Sequence, residues 1–301
     1  MISLILLSGF LGAGKTTLMT SIINNFANQK IGIIVNEFGE AGVDDVLLAR
    51  YGIKMKLLNN GSIFCACLKD SFLQSLIDMS GKDISYLFIE PSGLADPSEM
   101  TKILDAISHK LHTAYNYRGV VSVVDAETFP QLSRILPALT RQVEYSCTAI
   151  INKADLVDAA QLKQVSDLVT EINPSCEIIV TSHCQVDIRG IVEKLSVVNR
   201  QAQDSTNTPE SRPFSIVLKA TGNTSIDDAR NFIQTVMPNA YRIKGFLPIS
   251  DGIITISAVG SVINIEPWTK EAPTMGLVVI SAIGIGIISK ITVALPEGLS
   301  L

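Results

Sequence analysis

Apolar residues along this chain come in short unbroken runs rather than in strict alternation with polar ones. "ISLILLS", "IGIIVN", "MKLLN", "ISYLFIE", "GVVSVVD", "TAIIN" and "EIIVTS" each have strand length, and helical stretches lie between them, the first opening near Lys15. Unbroken runs mark strands buried on both faces, and their separation by helices is the signature of a largely parallel sheet covered on both sides. The pattern predicts an α/β domain over residues 1–200. Residues 201–212 are polar and proline-bearing, with no apolar period, and read as a linker. Beyond them a strand ("FSIVLKA"), a helix ("SIDDARNFIQTVM") and further strands ("GIITISA", "SVINIEP", "GLVVISA") predict a small α+β domain over residues 213–301.

Composition narrows the classes. Apolar residues make up 47% of the 301 and charged ones 18%, which favours a compact protein. The formal charge is −5, from 24 basic and 29 acidic residues, and no basic run tracks a phosphate backbone, so nucleic acid is not expected as a partner. "MISLILLSGF" lacks a charged leader and a cleavage site and reads as a buried first strand. "MGLVVISAIGIGIIS" is shorter than the ~20 residues of a membrane-crossing helix and is interrupted by glycine, so no membrane span is expected. The cysteines, Cys65, Cys67, Cys147, Cys176 and Cys184, form an odd set with no secreted-type framework, which suits a reducing cytoplasm. Cys147 reads as a small core residue.

Three motifs carry chemistry, each at the carboxyl end of a predicted strand, where parallel sheets bind ligands. "GFLGAGKTT" fits the phosphate-loop pattern at Gly9, Gly14, Lys15 and Thr16, between a strand and a helix. Gly12, Ala13 and Gly14 let backbone N–H groups approach phosphate, Lys15 can reach the β and γ phosphates, and Thr16, followed by Thr17, can ligate Mg²⁺. "YLFIEPSGLADP" ends a strand in Glu90, whose carboxylate can hold Mg²⁺ through water, and Gly93 can meet the γ phosphate. In "INKAD", Asn152, Lys153 and Asp155 follow a strand. The aspartate can accept both N1–H and the exocyclic amine of guanine, a donor pair adenine lacks, so GTP is the expected nucleotide. Ser182, in "TSH", could close over the base.

"SGFLGAGKTT", "IVNEFGEAGVD", "IEPSGLADP", "VVDA" and "NKAD", in that order, resemble the CobW subgroup of metal-handling P-loop GTPases, which also include UreG and HypB. The resemblance runs from residue 1 to about 195 and, more loosely, through the carboxyl-terminal domain. It implies a P-loop NTPase fold and a GTP-dependent metallochaperone or metal-cofactor insertase. Family members carry a G-C-x-C-C motif that binds zinc or cobalt. Here "NGSIFCACLKD" departs from it: Ser62 follows the glycine and only Cys65 and Cys67 remain.

Two thiolates leave a tetrahedral Zn²⁺ or Co²⁺ short of ligands. Glu37 and Glu40, in a loop at another strand end, are candidates to complete the shell; His109, His112 or a second subunit are others. A packed pair or a redox couple are the alternative readings of the cysteines. Nucleotide state would gate the metal site, and linkage makes the coupling reciprocal. Leu94 follows Gly93 where a Ras-type enzyme has glutamine, so intrinsic GTP hydrolysis should be slow, with Glu40 and Asp44 candidates to orient water or Mg²⁺ beside Lys15 and Glu90. A client metalloenzyme or cofactor-dependent enzyme would receive the metal. Two other readings are a regulatory GTPase that gates a partner, such as a corrinoid enzyme, without carrying metal, and a P-loop phosphotransferase.

Overall fold

A computed structural model describes residues 1–36, 54–58, 69–195, 213–260, 262–269 and 275–301. The chain divides into two compact units, Met1–Ser211 and Arg212–Leu301.

The first unit is built on seven parallel strands in the order β3-β2-β4-β1-β5-β6-β7: β1 Ile2–Gly9, β2 Ile31–Asn36, β3 Lys54–Leu58, β4 Tyr86–Glu90, β5 Tyr115–Asp125, β6 Thr148–Asn152 and β7 Glu177–Val180. Each corresponds to one of the apolar runs. The unbroken character of the runs has a simple cause: alternate residues of one strand enter two different cores. Ile5 and Leu7 of β1 pack with Leu18, Met19 and Ile22 of helix α1 (Lys15–Asn25). Leu4 and Leu6 pack on the other face with Phe72 and Leu76 of α2 (Lys69–Ser80) and Ile103 of α3 (Met100–Ile107).

The second unit is an antiparallel sheet, β11-β10-β9-β12-β8-β13, made from β8 Ser215–Ala220, β9 Ala240–Ile249, β10 Gly252–Val259, β11 Val262–Trp268, β12 Gly276–Ser281 and β13 Leu299–Ser300. Its core gathers Leu218, Ile243, Ile256 and Leu277 with Phe232 and Ile233 of α8 (Ile226–Val236) and Ile287 and Ile291 of α9 (Ile287–Ala294). The late apolar run is therefore two elements: β12, then a turn at Gly284 in the left-handed region (φ 62°), then α9. Among the described residues no helix is long and apolar enough to cross a membrane.

Candidate functional site

Parallel pairing of β1 with both β4 and β5, and of β5 with β6, brings Gly9, Glu90, Asp125 and Asn152 to one edge of the sheet. The phosphate loop leaves β1 there. Gly9, Gly12 and Gly14 have φ of 136°, 75° and 119°, values that side-chain-bearing residues rarely adopt. Gly9 also has no room for a side chain: a Cβ would lie 2.4 Å from the Val123 carbonyl oxygen. The loop closes through the Ala13 N–H to the Phe10 carbonyl (3.2 Å), and buried Lys15 donates from Nζ to the same carbonyl at 3.0 Å. Helix α1 starts at Lys15 without a side-chain cap and without an acidic residue in its first turn. The positive dipole end of the helix therefore suits an anion, with no carboxylate in the first turn to compete for it. Thr16 is half-buried and Thr17 exposed in that turn.

Beside this loop, Glu90 is buried at the end of β4. Gly93 lies against the phosphate loop so closely that a Cβ on it would sit 2.6 Å from the Leu11 backbone nitrogen. Glu90 at the end of β4 and Thr16 in the first turn of α1 offer an anionic and a hydroxyl oxygen at this edge, a donor chemistry that fits a hard cation such as Mg²⁺.

The third side is the loop after β6, the base loop expected from "INKAD". Buried Asn152 ties it to the phosphate loop: its Nδ2 donates to the Ala13 carbonyl at 2.8 Å, and its Oδ1 accepts the Cys184 N–H at 2.9 Å. The Cys184 thiol lies 3.4 Å from the Gly14 carbonyl oxygen, and burial pushes the thiol pKa up to about 12. Lys153 adopts a left-handed conformation (φ 64°) and pairs with Asp125 at 2.6 Å. Asp125 in turn accepts the N–H groups of Glu127 and Thr128, at 2.9 and 3.4 Å. Asp155 is exposed at the loop tip; its N–H donates to Ser182 Oγ at 3.2 Å, and a hydrogen bond to the Ser182 side chain is the main reason its carboxyl is held below the ordinary range.

The structure thus gathers Gly9, Gly12, Ala13, Gly14, Lys15, Thr16, Thr17, Glu90, Gly93, Asn152, Lys153, Asp155 and Ser182 at one sheet edge. His109 and His112 lie elsewhere: they precede β5, and the His112 N–H donates to Ser80 Oγ at the end of α2, at the amino edge of the strands. They cannot join a site at the carboxyl edge. Glu37, Glu40, Asp44, Cys65 and Cys67 lie outside the described residues. Cys147 is half-buried against the core beneath α1, and Cys184 is buried in the base loop.

Two contributors were not singled out from the sequence, Asp125 as the partner of Lys153, and Gln142 on α5 (Pro137–Glu144), whose Nε2 donates to the carbonyls of Gly93 and Ala95 at 3.1 Å each. "VVDA" marked Asp125 only as part of a motif; a buried polar residue beside Leu139 and Val143 on a helix was the available signal for Gln142.

Comparison with known proteins gives the same frame. A family profile described as CobW/HypB/UreG, nucleotide-binding domain, matches residues 3–180. The zinc chaperone YjiA of Escherichia coli (strain K12) is 33% identical over 193 residues, covering 62% of this chain and 59% of that protein. The zinc-regulated GTPase metalloprotein activator 1 of Dictyostelium discoideum is 25% identical over 291 residues, covering 80% of this chain and 61% of that one. The chain spans about three fifths of the length of these two relatives. Among solved structures, Zn(II)-bound YjiA GTPase from E. coli matches with a TM-score of 0.49 at 22% identity, covering 97% of this chain and 98% of the other.

Proposed function

This chain belongs to the CobW/HypB/UreG family of nucleotide-binding domains, and from that premise we propose that it is a GTP-binding, GTP-hydrolysing metallochaperone whose nucleotide state gates a Zn²⁺ or Co²⁺ cargo site. The observation that carries the nucleotide half is the joining of the base loop to the phosphate loop through Asn152, with Gly93 packed against Leu11. Base recognition and phosphate recognition then form one rigid surface, and Asp155 on its rim supplies a charged acceptor for guanine. Residues of the phosphate loop would cradle the phosphates, with Lys15 swinging from the Phe10 carbonyl to the β and γ oxygens, and Thr16 and Glu90 would hold Mg²⁺. That ion would neutralise developing charge between the β and γ phosphates.

The cargo half rests on ligand chemistry and on the relatives: proteins named zinc chaperone and zinc-regulated GTPase metalloprotein activator are among those this chain resembles. We assign Cys65 and Cys67 as thiolate ligands, with Glu37 as an additional ligand, and Glu40 and Asp44 as groups that orient water or Mg²⁺. In this reading a client metalloenzyme receives the metal, a homodimer could complete the metal shell, and the compartment is a reducing cytoplasm, which the odd set of cysteines suits.

The test is titration of the reduced protein with Zn²⁺ and Co²⁺ in the presence of GDP or a non-hydrolysable GTP analogue, alongside Cys65→Ser/Cys67→Ser. Cysteine-dependent affinity that shifts with nucleotide is the expected result. Metal affinity that ignores both the cysteines and the nucleotide would leave a GTPase that regulates a partner.

A further inference from the structure

Gln142 occupies an unusual place for an amide side chain. It is 2% exposed, on a helix whose neighbouring Leu139 and Val143 are core residues. Ordering and desolvating a glutamine carboxamide is unfavourable unless its hydrogen bonds are made. Its amide nitrogen is committed to one place: it donates to the Gly93 and Ala95 carbonyls, each at 3.1 Å. One nitrogen can serve two carbonyls two residues apart only when the intervening backbone is folded one way. That backbone is a tight turn, closed by the Ala95 N–H to the Ser92 carbonyl at 2.9 Å and followed by Asp96, whose carboxylate accepts the Ser98 N–H. Its near end is Gly93, pressed on the phosphate loop at Leu11.

We propose that Gln142 is a positioning residue for the nucleotide switch: from α5 it fixes the Gly93–Ala95 backbone against the phosphate loop, so that sensing of the γ phosphate depends on a helix outside the phosphate and base loops. The inference rests on the reading of this edge as a GTP site. Rearrangement of the Gly93 loop must break both bonds or carry α5 with it, which couples the switch to a helix that a partner could grip. A buried hydrogen bond to an immobile carbonyl transmits such coupling because a shift of about 1 Å abolishes it.

The experiment compares the affinities of GDP and of a non-hydrolysable GTP analogue for the whole protein, wild type and Gln142→Leu, by fluorescent-nucleotide displacement. Wild type should prefer one of the two, because the γ phosphate is sensed. In Gln142→Leu the analogue should weaken by about tenfold with GDP within about twofold. Gln142→Asn, which keeps the donors but is too short to span, should behave like Gln142→Leu. Gln142→Glu should lose the analogue's affinity at about pH 8 and regain part of it, relative to wild type, at about pH 5.5, where a protonated carboxyl can donate again. A pure packing role would not produce that pH signature. A wild-type ratio in either shortened or apolar variant, or unfolding of both, would reduce Gln142 to packing and overturn the inference. A wild type that binds neither nucleotide, or does not distinguish them, would instead overturn the GTP reading on which it stands.

Discussion

In the proposed GTP site, Asp155 concentrates base choice in one carboxylate. It is exposed, so its worth depends on geometry rather than burial, and the geometry is held by Ser182 from the neighbouring loop. Replacing it with asparagine keeps one acceptor but turns the other position into a donor, which opposes the exocyclic amine of guanine and matches the carbonyl of xanthine. Hydrogen bonds to charged groups contribute about 1.5–3 kcal/mol each, so Asp155→Asn, which loses one, should weaken GTP by roughly 10- to 150-fold and improve xanthosine triphosphate. Competition between the two nucleotides for a fluorescent analogue reads this directly, and GTP affinity within about threefold of the parent would remove Asp155 from the base site. The pH dependence has a definite sign. The Ser182 hydrogen bond, the largest cause, holds the Asp155 pKa below the ordinary carboxylate range. Its contribution to guanine binding is therefore level through neutrality and fades only as pH falls below that range. Ser182→Ala should make the fading begin at higher pH.

At the scale of elements, the Asn152 side chain ties together the loops after β1, β6 and β7, beside the Cys184 thiol at the Gly14 carbonyl and Ser182 at the Asp155 N–H. Asn152→Ala strands two buried groups, the Ala13 carbonyl and the Cys184 N–H, and each such orphan costs about 1–3 kcal/mol. The variant should lose about 2–4 kcal/mol in urea unfolding without nucleotide, a loss a purely ligand-contacting residue would not show; a change under about 0.5 kcal/mol would mean that water replaces both bonds. The elements themselves were legible because parallel strands buried on both faces announce themselves as unbroken apolar runs. Strand β9, "AYRIKGFLPI", was not, since Arg242, Lys244, Gly245 and Pro248 interrupt its pattern, and helix α9 was hidden in an apolar stretch that glycine divides. Motifs gave the phosphate and base loops, but not their cross-links. The Lys153–Asp125 pair exists only because β5 and β6 are registered with Asp125 opposite Asn152, and Gln142 meets Gly93 across 49 positions of sequence. Such contacts are properties of the folded sheet, invisible to local spacing.

For the whole molecule, the first unit carries several acids that folding keeps protonated. Burial raises the Cys184 thiol to about 12 and lifts the Tyr115 and Tyr117 phenols above their usual range, Tyr117 with a smaller push from Cys147. Tyr115 also donates its hydroxyl proton to the Leu76 carbonyl at 2.6 Å. An unfolded chain would release a thiol proton near pH 8.5 and phenol protons near pH 10. The native state binds more protons above those values, so stability falls as pH rises; below about pH 8 these groups make no difference. Urea midpoints should stay level between about pH 6 and about pH 8, then fall, first with the thiol and more steeply once the phenols titrate, at up to about 1.4 kcal/mol per pH unit for each group. Cys184→Ala should remove the thiol's share of the slope from about pH 8.5 upward, so that the fall begins only with the phenols, near about pH 10, and is shallower beyond it. A midpoint that holds constant to about pH 11 would show that the three protons exchange with solvent as freely in the fold as outside it. The thiol that closes the base loop on the phosphate loop would then be a solvated group, and the compactness ascribed to that corner of the molecule would have to come from Asn152 alone.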